Sequence, residues 1–452
     1  MAFCYYTMGT PTSAYKGTVS IWCKVAAIGT QMGLFNCNTN STNKFQAFFE
    51  TDGTLTIFQK TSGSVVCNLV TRRLFHDPSA WYHFVIAWDT TQSETDRVKL
   101  YVNGVRETQF STATYPTASL VMMSNISGNS FNLGVVQGDA NPFYGNMSHF
   151  QFVDGLQLAP TEFAETDSTS GIWKIKTGAY ATPGTNGFFL KMEDRTNLDL
   201  DSSSNAHTFT TSGNLTATYD NPSNNFATWN PIARWNADTG SLSNGNTTYS
   251  LSSYAYNAKS SLAMEGGKWY WEVKQSAINC RVGVTTSGAN NNLDTDSTAW
   301  ILGDQGNGGI WVLNSTASAN WQSTNNDTTR SITSYTTAAT SGADSIIMVA
   351  LDVDSGKMYM GVDGTWFNSS DPAAGTNPVM TITNSSPDPL VVIGSFGTSG
   401  AMVNKTNFGN GYFGTDAVAS ANADDAGIGA FEYDVPTGFY ALCTKNISLQ
   451  GG

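Results

Sequence analysis

The sequence predicts an all-β protein of two antiparallel β-sandwiches with a loop-rich connector between them. Three observations carry that prediction. A chain of 452 residues is long enough for two or three cores. Charged residues make up only 13 %, aromatics reach 12 % and glycines number 43, so the Leu/Glu/Lys/Ala stretches of long helices are missing. Apolar residues alternate with polar ones in short runs that end at Gly, Asn, Asp or Pro.

The elements follow in order. Thr18-Val19-Ser20-Ile21-Trp22-Cys23-Lys24-Val25 places Val19, Ile21 and Cys23 on one strand face and Trp22 on the other. Residues 45–49 and 55–58 read as strands around the turn Asp52-Gly53. Residues 81–89 and 97–105 read as long central strands, the second turning at Asn103-Gly104. Runs at 146–154 and 187–192 close a first domain, 1–194. The stretch 195–229 is rich in Asp, Ser, Thr and Asn and reads as a connector, with 225–231 as an anchored turn into a second domain, 230–446. There, strands are predicted at 268–273, 281–284, 345–353, 357–362, 390–393 and 438–442, separated by turns such as Asp354-Ser355-Gly356. Beyond a helical turn at Pro160-Thr161-Glu162-Phe163, no helix is predicted.

Charge excludes some functions. A net charge of −13, with no basic stripe, argues against nucleic acid as a partner. No run approaches the roughly 18 apolar residues of a membrane span, so no membrane insertion is expected. Met1-Ala2-Phe3-Cys4-Tyr5-Tyr6 lacks the basic and apolar regions of a signal peptide, so the expectation is synthesis and assembly in the cytoplasm. In that compartment Cys4, Cys23, Cys37, Cys67, Cys280 and Cys443 are expected as free buried thiols, a disulfide among the first four being the alternative. Sequons such as Asn40, Asn246 and Asn314 carry no weight without secretion.

Catalytic groups are not found. Glycoside hydrolysis needs two carboxylates roughly 5–9 Å apart, and no E-x-D-x-x-E strand occurs; Glu162 and Glu165 sit in a turn-like segment. His76, His83, His149 and His207 lack metal-ligand spacing, and His83 and His149 read as hydrogen-bonded strand residues. There is no G-x-S-x-G and no conventional P-loop. The chain is therefore expected not to be an enzyme. Calcium is the one cofactor left open, at Asp199 and Asp201 or at Asp352 and Asp354, where oxygen ligands cluster without the distal Glu of an EF-hand; polar turn residues are the alternative reading. As ligand-binding candidates stand Trp300, Trp311, Trp321 and Trp366, set among Asn, Ser, Gly and Thr in 285–335 and 363–385. Such aromatic plates suit a glycan or protein face, and equally suit a core or a subunit interface.

Residues 80–89, Ala80-Trp81-Tyr82-His83-Phe84-Val85-Ile86-Ala87-Trp88-Asp89, followed by Val98-Lys99-Leu100-Tyr101-Val102-Asn103-Gly104, resemble the concanavalin A-like/laminin-G-like jelly roll of lectins. The second domain resembles a SPRY (B30.2-like) sandwich through Gly267-Lys268-Trp269-Tyr270-Trp271-Glu272-Val273, Val282-Gly283-Val284, the hairpin across Asp354-Ser355-Gly356 with Asp363-Gly364 after it, and Asn407-Phe408-Gly409. The pairing resembles structural proteins of aquatic, especially marine, bacteriophages. That resemblance implies a virion protein of the tail fibre or appendage type, assembled in the host cytoplasm. Its implied partners are other virion proteins and a host-surface glycan or protein receptor, and homo-oligomerisation is expected because virion appendages are symmetric. The alternatives are a capsid decoration or cementing protein and, below it, a polysaccharide-cleaving enzyme.

Overall fold

The structure is a computed structural model describing residues 2–136, 138, 140–234, 240–251, 257–276, 280–287, 311–315, 320–325, 331–336, 344–382, 388–396 and 402–450. It is 49 % strand and 5 % helical, as the alternating pattern predicts. Two compact units form, one of Met1–Ala217 with Asn221–Ser223 and one of Thr218–Asp220 with Asn224–Gly452. Among the described residues no helix is long and apolar enough to cross a membrane.

The first unit contains an eight-stranded and a six-stranded antiparallel sheet. The larger runs in the order Phe110–Thr114, Ser64–Leu74, Thr54–Thr61, Asn43–Phe49, Met32–Asn40, Ser130–Leu133, Phe3–Thr7, Thr210–Ser212. The smaller runs Phe188–Leu190, Gly145–Asp154, Lys16–Val25, Trp81–Asp89, Val98–Val102, Val105–Glu107. Their facing sides share one core, in which Val19, Ile21, Cys23, Phe84, Trp88 and Phe152 meet Phe45, Ala47, Ile57 and Phe131. Each such large side chain contributes about 1.5–3 kcal/mol on burial. Trp22 is on the opposite face, as its place in the alternation predicts, and stacks on His83 with ring centroids 4.7 Å apart. Asn103 and Gly104 adopt φ of 48° and 81°, the left-handed pair that a two-residue hairpin requires. The expected helical turn is a 3-10 turn at Pro160–Glu162.

The stretch expected as a connector is divided between the units, which is a correction to the 194 and 230 boundaries. Residues up to 217 complete the first unit: Thr210–Ser212 pairs antiparallel with Phe3–Thr7. Asp201 fixes the preceding loop, accepting hydrogen bonds from the backbone N–H of Phe189, Ser203 and His207. From Asn224 onward the chain belongs to the second unit, where Phe226 bridges to Cys443 and Trp229 is fully buried. A polar composition concealed both roles, because a carboxylate that satisfies backbone donors reads the same as a solvated turn acid.

In the second unit one sheet runs Trp229–Arg234, Asn257–Met264, Leu390–Phe396, Cys280–Thr286, Trp311–Ser315, Asn320–Asn325, Ser331–Thr336. The other runs Ser241–Ser243, Thr248–Leu251, Met402–Asn407, Lys268–Gln275, Ile346–Asp352, Lys357–Val362, Thr365–Trp366, with Met380–Thr381 and Tyr440–Ala441 added to its inner strands. Trp229, Trp269, Trp271, Val349 and Val392 lie in its core. An α-helix at Thr444–Gln450 was not expected. Seven residues of mixed propensity give little sequence signal; tertiary bonds hold the helix, since the buried Asn446 donates to Asp424 Oδ2 at 2.7 Å and to the Ala441 carbonyl at 2.9 Å.

Cys4, Cys23, Cys37, Cys67 and Cys443 are free and buried. Burial pushes the Cys4 and Cys67 thiols up to about 12. The side chain of Cys280 lies outside the described residues.

Candidate functional site

Strand alternation builds a two-sided surface from the eight-stranded sheet. Along Asn43–Phe49, Phe45, Ala47 and Phe49 enter the core, so Lys44, Gln46 and Phe48 take the outer face. Along Thr54–Thr61, Leu55 and Ile57 enter the core, and Thr56, Phe58 and Lys60 face out. Strand register then sets Tyr5, Asn132, Asn36, Gln46, Phe58 and Asn68 in one rung across adjacent strands. Thr210 and Thr114 extend that rung to the two sheet edges. Neighbours in such a rung lie about 5 Å apart.

Amides dominate the rung, and their wiring is incomplete. Asn36 Nδ2 donates to Asn38 Oδ1 at 2.7 Å, and Asn132 Nδ2 donates to the Asn36 carbonyl at 3.2 Å. Ser130 Oγ donates to Asn132 Oδ1 at 2.9 Å. Left over are Asn36 Oδ1, Gln46 Nε2 and Asn68 Oδ1, all buried and all without a hydrogen-bond partner. Asn36 and Gln46 are only 1 % and 3 % exposed. Each such atom costs about 1–3 kcal/mol. An acceptor, a donor and an acceptor thus stand unused in one line. A hydroxyl group both donates and accepts, so it is complementary to either kind of unused atom. Phe58, half-buried in the same rung, has the Phe48 ring edge-on to it at 6.5 Å.

The tryptophans singled out by sequence are placed elsewhere. Trp300 lies outside the described residues. Trp311 opens the strand Trp311–Ser315 and Trp321 is the second residue of its partner Asn320–Asn325; the side chains of both lie outside the described residues. Trp366 is half-buried, its ring edge-on to Tyr270 at 6.4 Å in a small apolar cluster with Phe431. The structure does not gather these residues on one described surface.

Nor does it gather the acidic candidates. Asp201 Oδ1 and Oδ2 together receive the three backbone donors above and the Ser203 hydroxyl. Asp199 instead accepts from Thr211 Oγ1 at 2.7 Å. Asp352 accepts from the Ser355 N–H at 3.0 Å and pairs with Lys268 at 3.3 Å, while Asp354 accepts from the Gly267 N–H at 3.0 Å. Among the described residues no group of three or more His, Cys, Asp or Glu side chains converges as a metal would require.

Two further places carry titratable groups. Glu272, on strand Lys268–Gln275, is fully buried, and burial pushes its carboxyl up to about 7. It accepts from the N–H of Glu432 and Tyr433, both at 2.9 Å, from the Tyr270 hydroxyl at 3.0 Å and from Asn407 Nδ2 at 3.3 Å. All its acceptor capacity is used inside the fold, which is the wiring of a structural clamp. In the first unit a small cleft of about 10 Å³ is lined by Val25, Met32, Phe49, Phe75, Glu50 and His76. Its polar groups are engaged: Glu50 accepts from Gln31 and Thr56, and His76 Nε2 meets the Asp52 carbonyl.

Sequence reasoning missed the amide rung. Asn36 and Asn38, two apart on one strand face, and Gln46 between Phe45 and Ala47 were the available signal. Each reads alone as a solvated outward position, and only register shows that they align.

Residues 6–162 match the Laminin_G_3 family, described as the concanavalin A-like lectin/glucanases superfamily. The match bears out the concanavalin A-like, laminin-G-like reading of the first domain. Among solved structures the chain is similar to a heptameric SAP-like pentraxin from Limulus polyphemus, at 17 % identity over 35 % of this chain and 71 % of that one, TM-score 0.27. It is similar to the SPRY domain of human HERC1, at 13 % identity over 39 % of this chain and 96 % of that one, TM-score 0.27. It is also similar to domains LG4-5 of the mouse laminin alpha1 chain, at 9 % identity over 96 % of this chain and 92 % of that one, TM-score 0.30. No curated protein matches the chain.

Proposed function

We propose that this chain is a non-catalytic binding protein that holds a glycan on the outer face of its eight-stranded sheet. The carrying observation is the line of unpartnered Asn36 Oδ1, Gln46 Nε2 and Asn68 Oδ1 beside the Phe58 ring. Concanavalin A-like and laminin G-like domains are typically binding modules, which accords with this reading. Among the described residues the one carboxyl raised to neutral pH, Glu272, has its oxygens taken up by four donors inside the fold.

The setting we propose is a virion appendage of the tail fibre type, in several copies, attached to other virion proteins and presenting the sheet face to a host-surface glycan. What supports it is the ordered pairing of the Trp81-to-Gly104 and Lys268-to-Gly409 motifs along one chain. The test applies the purified full chain to a glycan array and then to phage adsorption on host cells. Binding to a restricted glycan set, together with blocked adsorption, is the expected result. Failure to bind any glycan overturns the binding site; glycan binding without any effect on adsorption overturns the attachment role.

A further inference from the structure

One rung away from the amides, the same outer face carries an uncompensated pair of cations. Lys44 and Lys60 are register partners on neighbouring strands. Their ammonium nitrogens lie 5.9 and 5.8 Å from the centroid of the same Phe58 ring. Neither forms an ion pair with a carboxylate among the described residues, although acidic residues outnumber basic ones in this chain, 35 to 22. Elsewhere in the first unit Lys16, Lys99, Arg106 and Lys174 all have acidic partners. Burial and the charge of Lys60 lower the Lys44 ammonium from its ordinary value, so the two cations repel each other. Along the strand, Lys44 is two residues from Gln46 and Lys60 two from Phe58, a separation of about 7 Å. That distance matches a substituent on one sugar ring and the hydroxyls of the next.

We propose that the face takes an anionic glycan, one bearing carboxylate or sulfate groups, with the anion seated between Lys44 and Lys60 over the Phe58 edge and ring hydroxyls on Asn36 and Gln46. This rests on the glycan-binding reading above and names its substrate class. Two cations on a protein of net charge −13 suit one anionic group of a sugar chain at a time, not the run of phosphate contacts that nucleic-acid binding needs.

Matched ligand pairs test it on the full chain: polygalacturonate against its methyl ester, and dextran sulfate against dextran, at low and high salt by isothermal titration. The acidic member of at least one pair is expected to bind about tenfold more tightly, a difference of ~1.4 kcal/mol, with the advantage shrinking as salt rises. In Lys44→Gln/Lys60→Gln that advantage disappears while any neutral-glycan binding stays, and the thermal midpoint holds because the lost contacts with the Phe58 ring are offset by the relieved repulsion between the two cations. The first pair reads carboxylate and the second sulfate. Equal binding of acidic and neutral members, with loss of both in Gln46→Leu, overturns the anionic class and leaves the glycan site standing. An acidic preference that survives in the double variant also overturns it. No binding of any glycan overturns this inference and the glycan reading together.

Discussion

Gln46 and Phe58 are register partners on the outer face of the eight-stranded sheet, and the nitrogen of that buried amide has no hydrogen-bond partner while the ring beside it is half-buried. A side chain kept polar in a buried position without internal use is a stability cost. Replacing it with an apolar isostere removes that cost. Gln46→Leu is therefore expected to raise stability by about 1 kcal/mol, read as a higher midpoint in urea unfolding with unchanged slope. A loss of 1 kcal/mol or more would show that the amide is wired into the fold.

Gly104 sits at φ +81° with the Trp173 ring 2.9 Å from where a Cβ would be. Gly104→Ala forces both a left-handed alanine and displacement of the ring. Trp173 Nε1 donates to His83 Nδ1 at 3.0 Å, so that bond loosens too. The expected cost is about 2–3 kcal/mol, with Trp173 fluorescence becoming more exposed to quencher. An unaltered unfolding midpoint would contradict this packing.

His83 is held neutral. Nδ1 accepts from Trp173 and Nε2 meets Ser20 Oγ at 2.8 Å, so Nε2 carries the proton. Burial lowers its pKa from 6.5 to about 3. The unfolded chain takes up a proton below pH 6.5 and the folded one does not until near 3, so stability is lost as pH falls through that window. The full loss is on the order of 5 kcal/mol. Calorimetry of His83→Gln should show a shallower acid branch than the unsubstituted protein; parallel branches would refute the assignment.

Glu272 acts in the opposite direction. Its folded pKa is raised from 4.5 to about 7, so its contribution is fully present below pH 4.5 and is lost as pH rises through 7, by about 3 kcal/mol. Glu272→Gln removes this dependence between pH 4.5 and 7. The variant also turns an amide N–H₂ toward two of the four donors and should unfold about 2 kcal/mol more easily at pH 5. A variant whose stability follows pH as the unsubstituted chain does would contradict the role.

The sequence made the sandwiches legible because burial of one face imposes period two: Val19, Ile21 and Cys23 went inward and Trp22 outward as the pattern required. The motif pieces were legible for the same reason, and the structure explains two of them. Tyr270-Trp271-Glu272 and Asn407-Phe408-Gly409 lie 135 residues apart, yet Glu272 and Asn407 are strand partners joined by a hydrogen bond. What stayed hidden depends on register and on long-range partners. Asn36, Gln46 and Asn68 come from three strands, and nothing local says that they share a rung. Asp201 looked like a loop ligand because its backbone donors lie in Phe189 as well as nearby. The tryptophans drew attention as single large residues, whereas the aligned surface is made of modest amides.

The central claim is that this rung binds a glycan. Its most direct test is isothermal titration of one array-identified glycan into the unsubstituted full chain and into Asn36→Ala/Gln46→Leu. The account predicts saturable binding that falls at least about tenfold in the double variant, a loss of ~1.4 kcal/mol, measured well below its thermal midpoint because Asn36→Ala also loses the bond to Asn38 Oδ1. Equal affinity for the two proteins would contradict it.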